Sequence, residues 1–156
     1  MRFTPEDKRY KKCLAAALRF LKIRPRSEHE LVEKLKPKAF APETIAQTLG
    51  YLKELNMVDD RAFARDWIRY RLQRPFGPNR IRYELIQKGI AKDILEEEMH
   101  TALSSFAEED TVLDLAREKA AKYKGLEKQK IKQRVYGFLS RRGFRADHIY
   151  KALRKL

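Results

Sequence analysis

Apolar residues recur at three- and four-residue spacing along nearly the whole chain. That is the period of helices with one buried face. Leu31, Val32 and Leu35 form one stripe, and Ile45, Leu49, Leu52 and Leu55 form the next. β-Branched residues are scattered, so no strand is predicted. Punctuation divides the stripes. A first helix over Pro5–Ile23 ends near Arg24-Pro25. Ser27 and Glu30 stand at capping-box spacing and open a second. Pro42 suits the first turn of a third. Asp59 or Asp60 caps a fourth, with Phe63, Trp67, Ile68 and Leu72, which Pro75 ends. Gly77-Pro78 opens a helix carrying Ile81, Leu85 and Ile86. Gly89 is placed at C′, where a positive φ closes the helix. Asp93 then precedes Ile94, Leu95, Met99 and Leu103. A further helix carries Val112, Leu115 and Tyr123, and another Ile131, Val135, Phe138 and Leu139. Gly143-Phe144 closes that one, and Ile149, Ala152 and Leu153 belong to the last.

The stripes repeat. Leu31 and Leu35 align with Ile81 and Leu85, and these with Val135 and Leu139, at shifts of 50 and 54 residues. Ala39-Phe40, Gly89-Ile90 and Gly143-Phe144 follow in step, then Ile45, Ile94 and Ile149. A period of this size marks units that bury their apolar faces by stacking on neighbours. The expected architecture is all-α: an elongated array of three tandem three-helix repeats over residues 1–58, 59–106 and 107–156. Ser104 to Glu109, the most polar junction, is the expected hinge. Function is then expected on the surface of the array.

Charge sharpens that expectation. The chain of 156 residues has a formal net charge of +14, distributed in blocks. Residues 1–26 carry net +7, 59–92 carry +5 and 119–156 carry +11, while 93–118 carry −8. Basic blocks of this weight imply a polyanionic partner, or a protein wrapped around one. No apolar run approaches the ~20 residues that span a bilayer, and Met1 to Tyr10 lacks an apolar signal core. No membrane association is expected, and a cytoplasmic monomer is the default. Cys13, the single cysteine, sits among apolar neighbours and is expected to be buried.

No catalytic constellation is visible. The six glycines are dispersed and make no phosphate loop. His29, His100 and His148 are scattered and stand at no metal-ligand spacing. Asp59 and Asp60 are better explained as a helix cap than as an acid/base pair. Glu96, Glu97 and Glu98 are consecutive, point in different directions and are expected on a solvated face. No enzyme activity, cofactor or metal is expected. Trp67, Tyr70 and Phe76 lie among Arg65, Arg69, Arg71 and Arg74, a pattern that can stack on unpaired bases. Trp67 nevertheless falls on an apolar stripe, which favours core packing for that ring. The sharper signal is the basic flank of the second helix of each repeat. Arg80, Arg82 and Lys88 border one stripe. Lys130 and Arg134, with Lys128 and Lys132, border another, followed by Arg141, Arg142 and Arg145. Together with Arg24, Arg26 and Arg74 these residues are the candidate partner-binding surface. They are expected to be exposed, to meet phosphates or acidic side chains, and to add little to folding.

The tract Leu55-Asn56-Met57-Val58-Asp59-Asp60-Arg61-Ala62-Phe63-Ala64, followed by Gly77-Pro78-Asn79-Arg80-Ile81-Arg82-Tyr83-Glu84-Leu85-Ile86-Gln87-Lys88-Gly89-Ile90, resembles the signature of the RecX family, regulators of the bacterial RecA recombinase. Arg26 to Leu31 and Phe138 to Phe144 resemble its flanking repeats. Two places depart from the family pattern: Asn56-Met57-Val58 before the two aspartates, and Ala39 where the other copies have glycine. The resemblance implies binding along the RecA–DNA filament and modulation, mostly inhibition, of its ATPase, strand-exchange and co-protease activities. Weak, salt-dependent binding to single- and double-stranded DNA goes with it. The alternative is a helical-repeat protein that binds nucleic acid without sequence preference and has no dedicated protein partner.

Overall fold

A computed structural model describes residues 5–156. It contains α1 (Pro5–Ile23), α2 (Glu28–Leu35), α3 (Pro42–Glu54), α4 (Asp60–Gln73), α5 (Pro78–Gln87), α6 (Lys92–Leu103), α7 (Glu108–Ala121), α8 (Lys128–Arg141) and α9 (Ala146–Arg154), with a 3-10 turn at Lys36–Lys38. Among the described residues there is no strand. The helices fall into three units, α1–α3, α4–α6 and α7–α9, and each closes its own core. Leu31 and Leu35, Ile81 and Leu85, and Val135 and Leu139 are fully buried at equivalent places in the three cores. Each such side chain contributes about 2 kcal/mol on burial. The total accessible surface is 10293 Å², against about 8,200 Å² for a compact monomer of this mass. The chain is an elongated array.

The joints explain how three small units stay aligned. The second helices lie head to tail. At one joint Gly77 N–H donates to the Arg142 carbonyl at 2.7 Å and Asn79 N–H to the Gly143 carbonyl at 3.0 Å. At the other, Ser27 Oγ donates to the Lys88 carbonyl at 2.6 Å. A helix C-terminus has carbonyls without partners and a helix N-terminus has amides without partners. Each end supplies what the other lacks, and the helix dipoles meet with opposite sign. The α2 amide of Glu28 finds its acceptor across the joint as well, at Asp60 Oδ1, 2.9 Å away.

Two glycines make this approach possible. Gly89 and Gly143 close α5 and α8 with φ of +71° and +87°. A methyl group on Gly89 would overlap the His29 side chain, and one on Gly143 would overlap Arg80. The third copy of the position is Ala39, also left-handed at φ 57°. Among the described residues no further unit stacks on that end of the array, and Ala39 is exposed. The departure from glycine therefore coincides with the free end.

Most of the expected punctuation is in place. Ser27 and Glu30 form the capping box, Pro42 and Pro78 sit in first turns, and Asp59 caps α4 through Ala62 N–H at 3.0 Å. Several expectations are corrected. Ile86 is 60% exposed, because it lies about 100° around the helix from Leu85. α6 begins at Lys92, and Asp93 in its first turn precedes Ile94 and Leu95 as expected. α7 ends at Ala121, so Tyr123 lies beyond it. The acidic run is solvated at Glu96 and Glu97, but Glu98 is buried, pairing with Arg61 at 3.1 Å and Arg65 at 3.3 Å. The expected hinge is pinned at its end, because Glu108 is buried and accepts hydrogen bonds from the backbone N–H and the side chain of Arg145. Cys13 is buried in the first core, as expected.

Candidate functional site

The eleven candidate cations separate into two groups. Six are consumed by the fold. Arg24 grips Glu30 with two hydrogen bonds, of 3.0 and 2.8 Å. Lys88 reaches the same carboxylate across the joint at 2.8 Å and lies over the Trp67 ring. Arg80 pairs with Glu84 at 3.0 Å and Arg82 with Glu96 at 3.3 Å. Arg145 is held by Glu108. Arg142 clamps the second joint, donating to the carbonyls of Arg74 and Pro75 at 3.0 and 3.2 Å and lying over the Phe76 and Phe138 rings. The expectation that these side chains are unpaired and open to a partner is therefore corrected. Their heads are already engaged by carboxylates and carbonyls, within α5 for Arg80 and between separate segments for the others.

The remaining five, Arg26, Arg74, Lys130, Arg134 and Arg141, form no ion pair among the described residues. Arg74 lies over Tyr70 at 4.4 Å and Arg134 over Tyr123 at 5.2 Å, packing that leaves the charge uncompensated. Arg26 Nε is buried without a hydrogen-bond partner. Burial, and then the neighbouring charge of Arg24, lowers the Arg26 pKa.

Sequence reasoning missed the networks beneath this surface. Glu84 accepts from Arg71, from Arg80 and from Trp67 Nε1. Burial raises its pKa, but these hydrogen bonds outweigh burial and hold it below the ordinary carboxylate range. Trp67 packs partly against the second core, as its stripe position implies, and its remaining surface lines a cleft. Phe76 is half-buried in the joint under Arg142, and Tyr70 is exposed. One signal for the joints was available. The Arg-Pro pair recurs at Arg24-Pro25 and Arg74-Pro75, 50 residues apart.

Glu30 makes the first joint pH-sensitive. Burial pushes its pKa up, yet hydrogen bonds from Arg24, Lys88 and the Ser27 amide pull it down to about 2. A depressed carboxylate adds stability above its unfolded pKa, about 4.3, and loses it as pH falls toward the folded value. Asp60 at the same joint has its pKa raised, by burial first, and its protonation offsets part of the loss. Between pH 6 and pH 3, urea denaturation should show the parent losing about 1 kcal/mol more than the Glu30→Gln variant, after allowance for solvent screening. Equal losses would mean that the ion pair does not stabilise the joint.

Among the described residues no group of three or more His, Cys, Asp or Glu could hold a metal ion, and no helix is long and apolar enough to cross a membrane.

Family models described as the first, second and third three-helix domains of RecX match residues 13–52, 59–99 and 107–153. The chain is 36% identical to the regulatory protein RecX of Prosthecochloris aestuarii over 151 residues, 96% of this chain and 97% of that protein. It is 35% identical to that of Clostridium perfringens over 147 residues, 93% of this chain and 68% of the relative. It spans 65% of the length of a Clostridium botulinum relative. Among solved structures, RecX from Lactobacillus salivarius superimposes with a TM-score of 0.80 at 22% identity, over 96% of this chain and 97% of that one. A second, titled regulatory protein RecX, gives 0.77 over 100% of this chain and 80% of that one.

Proposed function

The chain belongs to the RecX family of regulatory proteins, and from that premise we propose that it binds the RecA recombinase–DNA filament and restrains its activity by occupancy rather than by catalysis. One observation carries the reading. Three units locked head to tail present cations that form no ion pair among the described residues. A filament repeats its subunits along a polyanion. A rigid array with repeated contacts adds weak interactions into strong binding, because the second and third contacts form at high effective concentration. Seated there, the array obstructs subunit addition, nucleotide turnover or access of the second DNA molecule.

The test is single-stranded-DNA-dependent ATP hydrolysis by a RecA-type recombinase, titrated with this protein at two salt concentrations. Hydrolysis should fall, level off as the filament fills, and fall less at higher salt, because phosphate and carboxylate contacts are screened. Rates that stay flat through a large excess, with bare-DNA binding intact, would favour a general nucleic-acid-binding protein. Inhibition at trace amounts would keep the partner but place the protein at filament ends.

A further inference from the structure

The first joint opens into a cleft of about 680 Å³ between the first two units, a volume in the range of small-molecule sites. One wall is α4. Phe63, Trp67 and Tyr70 stand at i, i+4 and i+7, so their rings form a ladder along one face. Phe63 and Trp67 are stacked at 11°, with ring centroids 6.0 Å apart, and Tyr70 follows at 6.2 Å from Trp67. The facing wall is the linker Arg24-Pro25-Arg26 with Met57. Tyr70 and Met57 are 43% and 44% exposed, more than a core would leave.

We propose that this cleft holds an unpaired nucleobase of a single DNA strand, with the adjoining phosphates on Arg26 and Arg74. The inference rests on the nucleoprotein partner named above and adds the strand's place on this chain. Three features select a base over other guests. Aromatic rings in a ladder offer stacking area to a planar guest, and a base must be unpaired to enter sideways. The cations at the site divide by availability. Arg24, Arg71 and Lys88 are neutralised by Glu30 and Glu84. Arg26, with its buried unpartnered Nε, and Arg74, above Tyr70, retain their charge for phosphates. Asp66, which also lines the cleft, makes no ion pair among the described residues. A carboxylate there repels phosphate from the interior but accepts hydrogen bonds from an unpaired base's ring N–H or amino group, thymine N3–H included. Base inside and phosphate outside is the arrangement that satisfies both signs.

The equivalent cleft at the second joint has different chemistry, and the contrast supports the assignment. It is roofed by Arg74-Pro75 and lined by Lys119, Lys122, Phe138 and Arg142. Where the first cleft has Trp67 and Tyr70, α7 offers Leu115 and Glu118, which are not aromatic. Phe138 is the one aromatic ring in its lining, so it has no ladder of rings. That cleft offers a base no comparable stacking surface.

Trp67 is the single tryptophan of the chain, so its fluorescence reports the cleft alone. Oligothymidylate added to the full-length protein should quench it. An oligonucleotide of the same phosphate count built from abasic sites should bind without quenching, and so should a duplex. Tyr70→Ala should weaken oligothymidylate binding about tenfold relative to the abasic strand. Tyr70 is exposed, and an unchanged thermal melt verifies the fold of the variant. Equal quenching by the abasic strand, or none by oligothymidylate, would overturn the proposal. Quenching that needs recombinase without DNA would overturn it in favour of a protein segment. Loss of inhibition in the ATPase titration is a separate failure: it removes the functional reading, while base-dependent quenching would still assign the cleft.

Discussion

Replacing Gly143 by alanine is expected to destabilise the third unit by about 3 kcal/mol, combining left-handed backbone strain with steric overlap. The residue sits at φ +87°, and a Cβ there would press on the Cβ and backbone nitrogen of Arg80. Relief requires α5 to move off the end of α8. That movement breaks the Gly77–Arg142 and Asn79–Gly143 hydrogen bonds together, and the freed amides and carbonyls become unpaired. The effect should appear as a separate early transition in urea, since stability in a linear array is the sum of unit and interface terms. Gly89→Ala should behave likewise against His29. The control is Ala39→Gly at the free end. No neighbour crowds it, and glycine relieves the positive φ while loosening the unfolded chain, so stability should change by less than about 1 kcal/mol. If all three substitutions behave alike, the joints do not depend on close approach and the head-to-tail account is wrong.

Much of the fold was legible in the sequence because its determinants are local. The capping box at Ser27-Glu30, prolines at Pro42 and Pro78, and glycines at Gly89 and Gly143 each act within a few residues. The repeat then supplied what single helices cannot, the equivalence of Leu31, Ile81 and Val135. The candidate surface was less legible, for a physical reason. Arg142 and Arg141 are indistinguishable in composition and adjacent in sequence. Their roles diverge because α8 turns one toward Pro75 of the preceding unit and leaves the other exposed. Glu98 is the counterpart among the acids: it reads as one of three solvated glutamates, yet the packing of α6 on α4 buries it between Arg61 and Arg65. Charge pairing over such sequence separations depends on tertiary register, which periodicity does not encode. Trp67 shows a milder form of the same limit. Its stripe position pointed to the core, and only the neighbouring linker turns its remaining surface into the wall of a cleft.

The same division of cations sets the second large prediction. Reversing Arg74, Lys130, Arg134 and Arg141 together to glutamate should weaken filament binding by at least about 100-fold while shifting the melting temperature by only a few degrees. No ion pair among the described residues is lost, and exposed charges of this kind contribute well under 1 kcal/mol each to folding. Binding loses both attraction and counterion release, so the slope of log affinity against log salt should flatten along with the affinity. Arg142→Ala is expected to give the opposite signature. Its guanidinium holds Arg74 and Pro75 by their carbonyls, and removing it leaves those acceptors unpaired in the joint. Stability should fall by about 1–3 kcal/mol, and the salt slope should persist in whatever fraction remains folded. Equilibrium binding of a labelled recombinase filament across a salt series, paired with thermal melts, separates the two. A folded fourfold variant that binds with parental affinity and salt slope would move the contact away from these side chains. Binding would then have to draw on the cations that the fold already uses, and detaching those from Glu30, Glu84 and Glu108 would cost stability as the complex forms.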